Sequence, residues 1–118
     1  MEKTILIDGE EVRFIATAST VRRYRAKFQR DILTDFEELM KSAKAGKLTH
    51  ENYETFENMA YIMAKQADDN IPDDIYQWLD GFSVLSIYEI LPEIITLWNS
   101  SRVTLSEAKK NNVQQKGD

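Results

Sequence analysis

The segment ILIDGEEVRFIA, residues 5–16, constrains the fold of this chain more than any other stretch of its sequence. Two runs rich in β-branched and aromatic residues flank a glycine, and either Asp8-Gly9 or Gly9-Glu10 supplies a two-residue turn because glycine tolerates positive φ. The alternation predicts a hairpin with two apolar faces, made of Ile5, Ile7, Val12 and Phe14 on one side and Thr4, Leu6, Arg13 and Ile15 on the other. Because an isolated hairpin is at best marginally stable in water, it must pack on something else.

The following residues show helical rather than strand periodicity. A first helix is predicted from Thr20, with an apolar stripe of Val21, Tyr24, Phe28 and Ile32. Its opposite face carries four cations, Arg22, Arg23, Lys27 and Arg30. A second helix is predicted to begin at Thr34, capped reciprocally with Glu37, and to end at Gly46. Residues 51–67 are apolar nearly all round in their middle, which predicts a central, most buried helix.

Proline and aspartate mark the next break, in the segment DDNIPDD at residues 68–74. A short helix is predicted after it, over DIYQWLDGF at residues 74–82. In the last helix, Ser86 and Glu89 form a predicted capping box, and Pro92 is expected to kink the helix because it removes a hydrogen bond. The apolar stripe of this helix ends at Trp98.

Together these elements predict an α+β fold, mainly α, in which the N-terminal hairpin packs on a bundle of about five helices. A single domain is expected over residues 1–102, with the hairpin at 3–17 and the helices from about 20 to 100. Residues 103–118 carry few large apolar groups and are predicted to form a flexible polar tail.

The composition disfavours an enzyme and a metal or cofactor site. The chain has no cysteine and one histidine, His50, which lies at a predicted helix start, and its four glycines are too scattered for a phosphate-binding loop. No run of about 18 apolar residues and no signal-like segment is present, so neither membrane insertion nor secretion is expected. The net charge of −5 disfavours nucleic acid as a partner.

Two features remain as candidates for protein binding. The basic helix face, with Arg22, Arg23, Lys27 and Arg30, fits either a solvated surface, an acidic protein partner or a row of phosphates. Trp98 lies on a helical stripe, where an aromatic side chain serves either the core or the anchor of a binding groove. The residues alone leave these alternatives open.

Three blocks add a resemblance: ILIDGEEVRF, ATASTVRRYRAKFQRDILTDF and IYQWLDGFSVLSIYEILPEIITLWNSS. In the same order, and over roughly residues 3–100, they resemble the tail assembly chaperones of long-tailed phages and prophages of Gram-positive bacteria. The matching motifs are structural rather than catalytic. One departure is Gln29, where these chaperones often have glycine in a KFGRD-like turn, and glutamine favours a continuing helix.

The resemblance implies a protein of the host bacterial cytoplasm that coats the helical tape-measure protein and keeps it soluble while the tail tube assembles. Such a chaperone is absent from the mature virion, takes the major tail protein as a possible second partner, and binds neither nucleic acid nor membrane. The unpaired edges and two-sided apolar pattern of the hairpin further predict self-association into a homo-oligomer. The alternative is a small phage-encoded nucleic-acid-binding regulator that uses the basic helix face.

Overall fold

The computed structural model describes residues 1–101, which begin with an antiparallel hairpin of β1 (Glu2–Ile7) and β2 (Glu10–Ile15). Asp8 and Gly9 both have positive φ, at 54° and 80°, as a type I′ turn requires, so the first of the two turn alternatives is correct. The register pairs Ile5 with Val12, and the face made of Ile5, Ile7, Val12 and Phe14 packs into the core. The hairpin prediction is therefore confirmed, and the structure decides which of its two apolar faces is buried.

Six helices follow in the described part of the chain, and the α+β, mainly α class is confirmed. They are α1 (Ala18–Phe28), α2 (Ile32–Lys44), α3 (His50–Ala67), α4 (Ile75–Leu79), α5 (Ser86–Glu89) and α6 (residues 91–101). The predicted tail, residues 103–118, lies outside the described residues.

Helix α3 is the centre of the molecule, as its all-round apolar middle predicts. It packs against β2 on one side and against α1 and α2 on others, so it has little surface left for solvent. Its buried residues include Phe56, Met59, Ala60, Tyr61, Ile62, Met63 and Ala64. A helix in this position must be apolar on several faces, because each neighbouring element buries a different one.

The prediction of a first helix that continues through Ile32 is wrong. Helix α1 ends at Phe28, and Gln29 takes a left-handed conformation with φ 53° and ψ 39°. The N–H of Gln29 donates to the Arg25 carbonyl at 2.8 Å, which closes the helix end. Ile32 instead begins α2 and is fully buried there. A left-handed non-glycine residue costs on the order of 1 kcal/mol, which the contacts made after the turn must offset.

The predicted cap of α2 is also displaced by three residues. Asp31, rather than Thr34, is the N-cap, and its carboxylate accepts hydrogen bonds from the Leu33 N–H at 3.1 Å and the Thr34 hydroxyl at 2.9 Å. Aspartate and threonine both cap helices well, so local chemistry alone does not choose between them. The turn at Gln29 decides, because it lets the helix restart immediately after Asp31.

The last helix is interrupted rather than kinked. Its path breaks at Ile90, between α5 and α6, and the Ile94 N–H donates to the Ile90 carbonyl at 3.0 Å as α6 begins. Pro92 then lies in the first turn of α6, where its missing N–H needs no intrahelical acceptor. The predicted capping box is wrong, since the Ser86 hydroxyl donates to Asp8 in the hairpin turn instead.

Candidate protein-binding site

Half of the predicted basic face remains available on the surface of α1. Arg22 and Arg23 are both exposed. Arg23 Nε donates to the Ser19 hydroxyl one turn earlier, at 3.2 Å, and Arg22 makes no hydrogen bond or ion pair with any part of residues 1–101. These two guanidinium groups are solvated cations on one helix face.

Lys27 is used by the fold. Its Nζ donates to the Asp73 carbonyl at 2.5 Å and lies 5.9 Å from the centre of the Tyr61 ring, which allows a cation–π contact. Lys27 thereby fastens α1 to the segment that precedes α4.

Arg30 is also used by the fold. Its Nε and Nη2 donate to the two carboxylate oxygens of Asp35, at 2.8 and 2.7 Å, and the buried Tyr24 hydroxyl donates to the same carboxylate at 2.8 Å. Burial opposes ionisation of Asp35, but the hydrogen bonds from Arg30 and Tyr24 outweigh it and lower the pKa of the carboxyl. The structure therefore does not join the four predicted cations into one free row.

Trp98 lies in the core of the protein. Only 3% of its surface is exposed, and its ring meets Phe36 of α2 edge to face with ring centres 6.2 Å apart. Its indole N–H is buried and has no hydrogen-bond acceptor within the described range. An interface anchor needs an exposed ring, so Trp98 serves the core of this chain and does not offer a surface.

The structure instead brings together an apolar groove that the sequence analysis did not identify. It has a volume of about 490 Å³ and lies between the first turns of α3 and the start of α5. Its lining residues are His50, Tyr53, Glu54, Glu57, Leu85 and Tyr88. Leu85 is 68% exposed and Tyr53 is 40% exposed, so two large apolar side chains face solvent here.

Aromatic packing fixes the floor of the groove. The Tyr88 ring meets Tyr53 edge to face at 5.6 Å and also packs on Phe56 at 6.2 Å. The Tyr88 hydroxyl donates to the Glu57 carboxylate, and this hydrogen bond, with burial, raises the pKa of Tyr88 to about 12. The Tyr88 hydroxyl therefore stays a neutral donor at neutral pH. Glu54 and Glu57 form an acidic rim beside the apolar floor.

The hairpin turn holds the loop that forms one side of this groove. The Asp8 carboxylate accepts from the Ser83 N–H at 2.8 Å and from the Ser86 hydroxyl, and these bonds lower the pKa of Asp8. Between the two serines lie Val84 and Leu85, which are 85% and 68% exposed. The loop at residues 83–86, which the hairpin turn holds through Asp8, thus presents two apolar side chains to solvent.

The groove escaped the sequence analysis because its two sides are about thirty residues apart. Tyr53 reads as one member of a helical stripe, and Leu85 reads as the lead into the last helix. The one local signal is the pair Val84-Leu85, two apolar residues after the GFS turn and ahead of the helical stripe. The exposure of that pair becomes evident only in the folded structure, where Asp8 accepts hydrogen bonds from Ser83 and Ser86 on either side of it.

Residues 1–101 contain no group of three or more acidic or histidine side chains arranged to hold a metal ion. No helix within the same range is both long and apolar enough to cross a bilayer. Comparisons with protein-family models, curated proteins and solved structures gave no match to this chain. Its family therefore stays a prediction from the resemblance.

Proposed function

We propose that this chain is a phage tail assembly chaperone that binds the helical tape-measure protein in the bacterial cytoplasm and keeps it soluble during tail tube assembly. The observation that carries the proposal is the apolar groove with an acidic rim, lined by Tyr53, Leu85 and Tyr88. Such a chaperone needs an exposed surface for a helix rather than a catalytic group.

The groove suits an amphipathic helix by its shape and its charge. An amphipathic helix lays side chains spaced three and four residues apart into an apolar groove, and Leu85 with the Tyr53–Tyr88 pair supplies that apolar contact. Glu54 and Glu57 lie where lysine or arginine side chains beside the apolar stripe would form ion pairs. The expected partner segment is therefore helical, apolar on one face and basic beside it.

The turn after α1 supports the family resemblance. Gln29 adopts the left-handed conformation that glycine takes most easily, at the position where the related chaperones often have glycine. The departure in sequence thus leaves the expected backbone turn in place. Homo-oligomerisation and binding of the major tail protein belong to the same proposal.

The proposal is tested by co-expressing this chain with the tape-measure protein of the same genome and measuring how much of the latter stays soluble. Leu85→Lys places a cation on the apolar surface and is expected to return the tape-measure protein to the pellet. Leu33→Lys is the matched control, because Leu33 is an exposed leucine on α2 that does not line the groove. Equal solubility with both variants, or an insoluble partner with the unmodified chain, would contradict the proposal.

The nucleic-acid alternative makes a different forecast, which rests on the two solvated cations Arg22 and Arg23. Phosphate contacts weaken steeply as salt rises, so the alternative expects duplex DNA to be retained at low salt and released by the double variant Arg22→Glu/Arg23→Glu. Retention of DNA at physiological salt, with the tape-measure protein insoluble, would favour the regulator.

A further inference from the structure

A second groove, with a volume of about 340 Å³, runs along the outer edge of β2. One wall consists of the consecutive strand residues 10–13. The other wall comes from the end of α3, the following loop and α4, and is formed by Asp68, Ile71, Pro72, Gln77, Trp78, Gly81 and Phe82. A strand edge and an aromatic surface thus face each other across an open slot.

The strand edge in this groove has unpaired backbone groups. Within residues 1–101 the sheet has two strands, so one side of β2 has no neighbouring strand in this range. The Ala16 N–H donates to the Met1 carbonyl at 2.9 Å, and the Met1 ammonium donates back to the Ala16 carbonyl at 3.0 Å. Because hydrogen-bonded and non-hydrogen-bonded pairs alternate in an antiparallel ladder, Glu11 and Arg13 direct their N–H and C=O groups away from β1. Within the described chain, no hydrogen bond reaches these four groups.

The side chains around the slot define what it accepts. The half-buried Phe82 meets the buried Trp78 edge to face, with ring centres 5.1 Å apart, and provides the apolar part of the floor. Glu10 and Glu11 are exposed carboxylates on the strand wall. Arg13, the cation of this wall, already donates to the Ala67 carbonyl at 2.7 Å. The slot therefore combines an aromatic patch at Phe82 with carboxylates on its strand wall.

We propose that this slot binds an extended peptide segment of a partner protein, which adds to the β2 edge as a third strand. The peptide backbone would pair with Glu11 and Arg13. Apolar side chains at every second position would pack on Phe82, and lysine or arginine at the positions between them, on the other face of the strand, would meet Glu11. The unpaired backbone groups of β2 would supply the affinity, and the alternation of apolar and cationic side chains along the peptide would supply the selectivity. This site is separate from the groove at Tyr53 and does not depend on the proposed chaperone function.

The probe is the fluorescently labelled peptide KVKVTVKVK with blocked ends, titrated with the full chain and followed by anisotropy. Successive strand residues direct their N–H groups to opposite sides, so N-methylation of all valines and N-methylation of all lysines block opposite edges of the probe. One methylated probe is expected to lose at least about tenfold in affinity while the other binds like the parent. Equal affinity of all three probes would show attraction by charge alone and would overturn the proposal.

Two variants at one position test the protein side. Glu11→Pro removes the outward N–H, a substitution that an edge strand tolerates on its unpaired side, and is expected to weaken binding about tenfold relative to Glu11→Thr, which keeps the N–H. Equal binding by both variants would contradict strand addition. If Glu11→Pro fails to fold, the methylated probes decide the question alone.

Two further controls separate this site from its alternatives. Leu85→Lys is expected to leave probe binding unchanged, so failure of the chaperone proposal and failure of this one remain distinguishable. Light scattering with and without the probe identifies the occupant. If the probe dissociates an existing dimer, the natural occupant of the slot is a second copy of the chain, and the proposed partner peptide is overturned.

Discussion

Replacing Asp35 by asparagine tests how the α1–α2 corner is held. The Asp35 carboxylate has an exposed side-chain fraction of 6% and accepts three hydrogen bonds, one from Tyr24 on α1 and two from Arg30 in the turn. Asparagine has nearly the same volume, so the change leaves no cavity. It removes the negative charge and turns one acceptor atom into a donor that faces other donors.

The expected loss of stability is about 2 to 3 kcal/mol. A hydrogen bond from the fully buried Tyr24 hydroxyl to a charged acceptor contributes about 1.5 to 3 kcal/mol. The Arg30 side chain is 62% exposed and rehydrates when it loses its partner, so its ion pair adds only about 0 to 1 kcal/mol. At roughly 4 °C or more per kcal/mol for a chain of this size, the melting temperature is expected to fall by about 8 to 12 °C.

Urea unfolding of both proteins, repeated at pH 7 and at lower pH, measures this loss. The pKa of Asp35 is lowered in the folded state, so its contribution is complete above the unfolded pKa of about 4 and disappears as the pH falls through the folded value. The difference between the two proteins should shrink accordingly. The matched control is Glu37→Gln, an exposed carboxylate two residues further along α2. A loss no larger than that of the control, or one that stays constant in acid, would refute the reasoning.

Three other changes test separate parts of the structure. Gln29→Gly is expected to stabilise the protein by about 0.5 to 1 kcal/mol in urea unfolding, because glycine adopts the left-handed conformation without strain, whereas Gln29→Ala should not stabilise it. Met63→Ala is expected to cost about 2 to 5 kcal/mol, since this side chain is fully buried at the centre of α3, and an unchanged urea midpoint would contradict that packing. Asp8→Asn is expected to speed hydrogen exchange of the Ser83 amide while leaving exchange in α3 unchanged; equal exchange at Ser83 would mean that Asp8 does not hold the loop.

The sequence by itself predicted those structural elements that depend on residues close together in the chain. The turn at Asp8-Gly9 follows from the positive φ that it needs, and the division of the hairpin side chains between two faces follows from alternation in residues 5–15. The central position of α3 follows from apolar residues on several of its faces. Pro72 and the aspartates around it mark the break before α4, because they restrict their own backbone.

Tertiary structure alone decided where Gln29 turns, where Ser86 directs its hydroxyl and where the two grooves lie. Glutamine favours a helix, but burial of Ile32 and the bonds that Asp35 makes to Tyr24 and Arg30 offset the cost of its left-handed conformation. Ser86 has a capping pattern, yet Asp8 lies close enough to take its hydrogen bond. In each case a local preference competes with a contact to a residue elsewhere in the chain. That contact exists only in the folded structure and cannot be inferred from the neighbouring sequence.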